Sequence, residues 1–199
     1  MNFYELQQQR RSIYALGNKL SQTPEEIFNV VKKAVREAPT SFNSQSVRAV
    51  VLTGTAHQKL WEITLEQLHA IAKSEAAFQK TSDKINNSFK SGFGTVMLFT
   101  DTDVIKKLEA DVPNYAENFY DWSEQGLGIA DYAVWMALAE MGIGASNQHY
   151  NPLIDEAVQR EFEIPKNWRL RAEMPFGSIE APAATKDYVA DNQRFRLIK

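Results

Sequence analysis

A chain of 199 residues, 44% hydrophobic and 24% charged with 9 Gly and 7 Pro, has the size and composition of one packed domain spanning 1–199. Its net charge of −3 gives no overall positive field to draw in nucleic acid or an anionic membrane surface, so any anion must be held by a local cluster. No cysteine is present, which excludes disulfides, thiolate metal sites and a cysteine nucleophile, and the polar start MNFYELQQQRRS without a long apolar run points to the cytoplasm.

In chain order, QTPEEIFNVVKKAVREAP predicts a helix. Thr23 is its N-cap, Pro24 its first residue and Glu26 the return partner of a capping box, with Pro39 as its stop. VRAVVLT follows as a strand rich in β-branched residues. TAHQKLWEITLEQLHAIAK is again helical, with Thr55 and Gln58 at capping-box spacing and Leu60, Trp61, Thr64, Leu65, Leu68 and Ile71 on one face. GTVMLFT, Gly94 to Thr100, is apolar throughout and predicts a central strand covered on both sides. From about Ser123 to Met141 the sequence is apolar around most of its circumference, the mark of a buried helix.

The segment GIGASNQHYNP comes next, and it reads either as a polar turn or as the lining of a ligand site. Asn151 and Pro152 have the spacing of an N-cap and first residue for the helix PLIDEAVQREF. In NWRLRAEMPF, Trp168, Leu170, Ala172 and Met174 alternate with Asn167, Arg169, Arg171 and Glu173, which predicts a half-buried strand. The tail has no clear period. Helices outnumber strands without a strict βαβ rhythm, so the expected class is α+β with helices around one sheet.

Several chemistries are poorly served. G-x-S-x-G is absent, no H-E-x-x-H or other His/carboxylate spacing suggests a metal, and no phosphate-binding P-loop is present. His57 and His69 stand more than three helical turns apart, which suits packing or solvation. Three polar sets remain: Arg10, Arg11 and Ser12 with Arg194 and Arg196, which can form an anion clamp or simply be surface charge; the loop APTSFNSQSVR; and GIGASNQHYNP.

These sets, with KLWEI, SGFGTVMLF, WSEQGLGIADYAVWMALAEMGIGASNQHYNPLIDE, IPKNWRLRAEMPFG and the terminal RFR, resemble the nitroreductase family of flavoenzymes over nearly the whole chain. The likeness is to the compact subgroup named for fatty-acid repression. It implies a mainly antiparallel central sheet surrounded by helices, in an intertwined homodimer with FMN at each interface cleft. Arg10, Arg11 and Ser12, joined by Arg194 and Arg196, would hold the flavin phosphate and ribityl chain. Thr40, Ser41, Asn43 and Gln45 would come from the partner chain. Gln148 and His149 would pass the ring edge, with backbone N–H groups as donors and Gly144 and Ala145 allowing close approach.

The implied activity is ping-pong transfer of hydride from NADH or NADPH to the flavin, and then to nitroaromatic, quinone or similar acceptors. No catalytic side chain and no metal are expected. One departure stands out: Tyr14 occupies the place where larger relatives carry a cationic side chain near the flavin. It motivates an alternative, a flavin-binding regulatory or redox-sensing protein with slow turnover.

Overall fold

The computed structural model describes residues 2–199. Helix α1 (Phe3–Gln9) opens on a capping box between Asn2 and Glu5 and leads to the two-residue strand β1 (Leu16–Gly17). Helix α2 (Pro24–Glu37) starts as its sequence predicts: Thr23 accepts the Glu26 N–H, the Glu26 carboxylate accepts the Thr23 N–H, and Ile27 and Val31 are buried. Thr23→Ala is expected to cost about 1 kcal/mol of stability, measurable as a lower urea midpoint.

Strand β2 (Val47–Thr53) runs straight into α3 (Gly54–Ala70). The cap expected at Thr55 and Gln58 is therefore absent. Thr53, the last strand residue, takes the N-cap position without a side-chain bond, and Gly54 makes the turn at φ 56°. Helix α4 (Glu75–Ile85), its π-turn continuation Asn86–Lys90, and α5 (Thr102–Asp111) are elements that the periodicity reading does not contain. They flank β3 (Gly94–Asp101), which is buried at every position, as its apolar run predicts.

Helix α6 (Ala116–Glu140) begins seven residues before the expected start. Its first turns carry exposed Glu117, Asn118 and Asp121 around buried Phe119, so the all-round apolar character appears only later. Gly142, at φ 73°, reverses the chain into β4 (Gly144–Ala145). Asn151 and Pro152 do not start the next helix. The Leu153 and Asp155 N–H groups reach only three residues back, to Tyr150 and Pro152, and these turns delay α7 to Asp155–Glu161.

Strand β5 (Trp168–Ile179) pairs antiparallel with β3 on one side and with β1 and β4 on the other, giving the order β1-β5-β3-β2 with β4 beside β5. The pairings between these strands are all antiparallel. Leu170, Ala172 and Met174 are all buried, but a register shift opposite Leu98/Phe99 turns Leu170 to the other face from Ala172 and Met174. The expected alternation therefore does not run the length of the strand, and Glu173 on the expected polar face is buried too. The tail carries one more short helix, α8 (Asp191–Arg194).

Two cores cover the sheet. Val96, Leu98, Ala172, Met174 and Phe176 pack with residues of α2 and α6. Met97, Phe99 and Leu170 pack on the other face with Trp61, Phe89, Ile154 and Val158. The second cluster explains Glu173: the face that period two assigns to solvent is roofed by α3, the π turn and α7.

Candidate functional site

Helix α6 organises the first polar set. Gln7 donates to the Tyr132 hydroxyl at 2.8 Å, and the Arg10 guanidinium lies over the Trp135 ring at 4.3 Å. Beyond α1 the chain joins the sheet region through a parallel bridge between Ser12 and Ala145, with the Ile13 N–H donating to Ala145 O at 2.9 Å. Arg10, Arg11, Ser12 and Tyr14 form one wall of a cleft of about 510 Å³; Ala184 and Lys186 stand on the other. Arg11 donates to Ala184 O at 2.6 Å. Arg10 Nε is buried with no hydrogen-bond partner among the described residues.

The same bridge brings the third set alongside the first. Residues 144–148 run along β5 in one register, Gly144 opposite Gly177, Ala145 opposite Phe176 and Gln148 opposite Glu173. Two expectations change here. The Gln148 amide is not a free donor, because it gives its hydrogen to Glu173 O at 2.8 Å. Gly144 serves packing rather than ligand approach: a Cβ there would lie 2.8 Å from Ile179 and 3.1 Å from Ile13.

The His149 amide takes no part in the Gln148–Glu173 exchange, so it is the donor that remains. Its ring Nδ1 lies 3.0 Å from Arg171 O, which fixes the exposed side chain to the backbone of β5. Beside it, Asn147 donates to Asp131, whose carboxyl pKa is pushed up to about 6 by burial against the opposing effects of Asn147 and His149. His57, by contrast, is a core residue bonded to Thr95 Oγ1 and Lys90 O, and burial lowers it to about 4, so it stays neutral. Among the described residues no group of three His, Cys, Asp or Glu side chains is placed to hold a metal.

The second set lies elsewhere on the protomer. Phe42 and Trp122 stack near the start of α6, with centroids 6.1 Å apart, whereas Arg10 rests on Trp135; thirteen residues of helix separate them by about 20 Å. The loop is held hard in place. Phe42, Asn43 and Gln45 all have positive φ, near 50°, the Gln45 N–H donates to Thr40 Oγ1 at 2.9 Å, and Arg48 donates to Gln45 O at 2.7 Å. Asn43 and Gln45 are exposed, and Thr40 and Ser41 half-buried. Arg194 and Arg196 are exposed on the tail and line neither this loop nor the Arg10 cleft; the Arg194 guanidinium lies 5.2 Å from the Phe195 ring.

A sequence model described as the Nitroreductase family matches residues 8–178, which include the Arg10–Tyr14 wall of the cleft, the strained loop and the strip along β5, but not Ala184 and Lys186 of the opposite wall. The chain belongs to the nitroreductase family. It is 36% identical over 185 residues to the nitroreductase-named HBN1 of Saccharomyces cerevisiae, covering 92% of this chain and 91% of that protein. Its fold matches the nitroreductase CinD of Lactococcus lactis, solved with chloramphenicol, at a TM-score of 0.91 and 46% identity over 100% of both chains. A nitroreductase of Desulfitobacterium hafniense with bound FMN shares the fold at a TM-score of 0.73 and 15% identity over 100% of both chains.

For a nitroreductase-family protomer the division of the predicted residues is informative. Arg10, Arg11, Ser12, Tyr14, Gln148 and His149 belong to two segments joined by one bridge; the Thr40–Gln45 loop lies toward the start of α6, Thr40 against Gly126 and Phe42 on Trp122, about 14 to 20 Å along the helix from Trp135. Sequence reasoning missed Lys186 and Glu173. Lys186 lies in an aperiodic tail with nothing to mark it, and Glu173 obeys the alternation that assigns it to solvent.

Proposed function

We propose that this chain is an FMN-dependent oxidoreductase that takes electrons from NADH or NADPH and passes them to flat acceptors such as nitroaromatics or quinones, working as a homodimer. The observation that carries this reading is the Ser12–Ala145 bridge, which sets a cationic cleft beside a strip with a free amide. The residues fit the cofactor: Arg10 offers a buried Nε without a partner, Arg11 and Ser12 add charge and a hydroxyl for a phosphate, and the His149 N–H is a donor for a ring edge. When bound, FMN supplies a ring nitrogen that accepts and returns hydride. The protein's share is to bind the phosphate, fix the ring and limit water.

The homodimer follows from the division of the site. The Thr40–Gln45 loop cannot reach the Arg10 cleft of its own protomer, but the loop of a second copy meets that requirement. A groove of about 520 Å³ between α2 and α6, with Phe3, Val30, Ala34, Ile129 and Met141 on its walls, offers an apolar contact surface. The edge of β2 is unpaired within the protomer, and Leu197 and Ile198 on the tail are 81% and 89% exposed. The CinD complex with chloramphenicol, a nitroaromatic, supports the acceptor class, and the FMN of the Desulfitobacterium protein supports the cofactor.

The test is direct. Protein purified with added FMN is expected to be yellow, to sediment as a dimer and to bleach within seconds on mixing with NADH or NADPH. Colourless protein or a monomer would defeat the reading. Bleaching over minutes with both donors would favour the regulatory alternative, for which the half-exposed Tyr14 in the cleft speaks. His149→Ala is expected to bind FMN and turn over within about twofold of wild type, since its amide and not its ring is the donor; loss of reduction with FMN retained would return the imidazole to the mechanism.

A further inference from the structure

Glu173 is fully buried on β5, yet no ion pair among the described residues includes it. It fastens the strip beside it at three points. Gln148 N–H donates to Glu173 O at 2.8 Å, Glu173 N–H donates to Gln148 O at 3.0 Å, and the side-chain Oε2 accepts the Tyr150 N–H at 2.9 Å. The second oxygen, Oε1, is buried without a hydrogen-bond partner. His149, whose amide faces away from this exchange, is thereby held between two residues tied to one side chain and its backbone.

The surroundings decide the charge state. From α7 comes Asp155, with its own Oδ1 buried and unpartnered; from the strip comes Tyr150. The β3 neighbour is Met97, uncharged and part of the second core. Of the arginines on β5, Arg171 is engaged with Glu124 of α6 at 2.7 Å, and Arg169 with the Tyr120 hydroxyl. Burial pushes the Glu173 carboxyl up to about 8; the Tyr150 N–H opposes this and the negative charge of Asp155 adds to it. The neighbourhood is also short of donors: Asp155 and Glu173 each bury an oxygen without a hydrogen-bond partner. A proton on Glu173 adds one donor where acceptors are in excess.

We propose that Glu173 is a positioning residue whose proton locks the Gln148–Tyr150 backbone in place beside the cofactor edge, and whose ionisation releases it. The step is the loss of one proton from the carboxylic acid to solvent, leaving a buried carboxylate next to Asp155. The strip moves to bring water to that charge, and the His149 amide moves with it. The proposal rests on the reading that this strip borders the flavin.

Two variants separate the proton from the shape. Glu173→Gln keeps the size and the acceptor for Tyr150 but cannot ionise; Glu173→Leu removes the acceptor. Amide hydrogen exchange is followed in the FMN-loaded dimer from pH 6.5 to 9.5, along with the midpoint potential of the bound FMN. In the wild type, protection at Tyr150, corrected for intrinsic exchange, is expected to fall by about tenfold or more, and the potential to bend in the same range. Glu173→Gln should show neither change, and Glu173→Leu should be poorly protected throughout. A flat wild-type profile, or the same pH response in Glu173→Gln, would overturn the proposal. Failure to bind FMN would appear first in the absorbance spectrum and defeat the flavin reading; exchange in the cofactor-free protein would then still decide whether Glu173 locks Tyr150.

Discussion

Glu173→Gln is expected to be more stable than wild type by roughly 3–5 kcal/mol at pH 9, and nearly equal to it at pH 4. The sign follows from the two states of the chain. Below about pH 4.5, the ordinary value for this carboxyl, Glu173 is protonated both folded and unfolded, and the variant gains nothing. Between 4.5 and about 8 the unfolded chain ionises while the folded one keeps its proton, so wild-type stability falls as pH rises. Above about 8 the folded state must carry the buried charge and the loss is complete.

Other groups bend the wild-type curve, so the difference between the two proteins is the quantity to measure. Asp131, raised from 3.8 to about 6, removes stability in the same direction across a lower window. His57, lowered from 6.5 to about 4, works in the opposite sense: the unfolded chain binds the extra proton between those values, and stability rises with pH there. Neither changes when Glu173 becomes Gln. Urea unfolding followed by Trp fluorescence at pH 4, 7 and 9, at one protomer concentration and with FMN withheld from both samples, isolates the effect. Parallel loss of stability in both proteins from pH 4 to 9 would show that Glu173 is not the group responsible.

How much of this could be read from sequence depends on whether a residue's surroundings are local. Thr23 and Glu26 form their cap because both partners lie within one turn, and Gly94–Thr100 becomes the central strand because every residue in it is apolar. The cap assigned to Thr55 fails because β2 feeds α3 directly, a fact about two adjacent elements. Glu173 fails for a more distant reason: the roof over its face is built from residues such as Val158 and Trp61, 15 and 112 positions away in sequence. The Arg10–Ser12 and Gln148–His149 segments were legible only as polar sets. Their adjacency is made by one bridge between residues 12 and 145, and no local pattern encodes it.

Arg10→Ala and Arg196→Ala are each expected to weaken FMN by about 1–3 kcal/mol, roughly 5- to 150-fold, the scale of a charge-assisted hydrogen bond to a phosphate. For Arg10 the geometry is prepared before any ligand arrives, since Trp135 holds the guanidinium and its Nε is already stripped of water. Arg196 is different, because it stands on an exposed tail outside its own protomer's cleft, so its contribution should cross the dimer interface. A mixed dimer with Arg10→Ala in one protomer and Arg196→Ala in the other separates the two arrangements. If the arginines act across the interface, one site carries both lesions and the other none, and half of the sites titrate with wild-type affinity. If they act within one protomer, each site carries one lesion and no site retains full affinity. Unchanged FMN titrations in both single variants would remove the phosphate clamp altogether, leaving Arg10 as a support for α6 and Arg196 as surface charge.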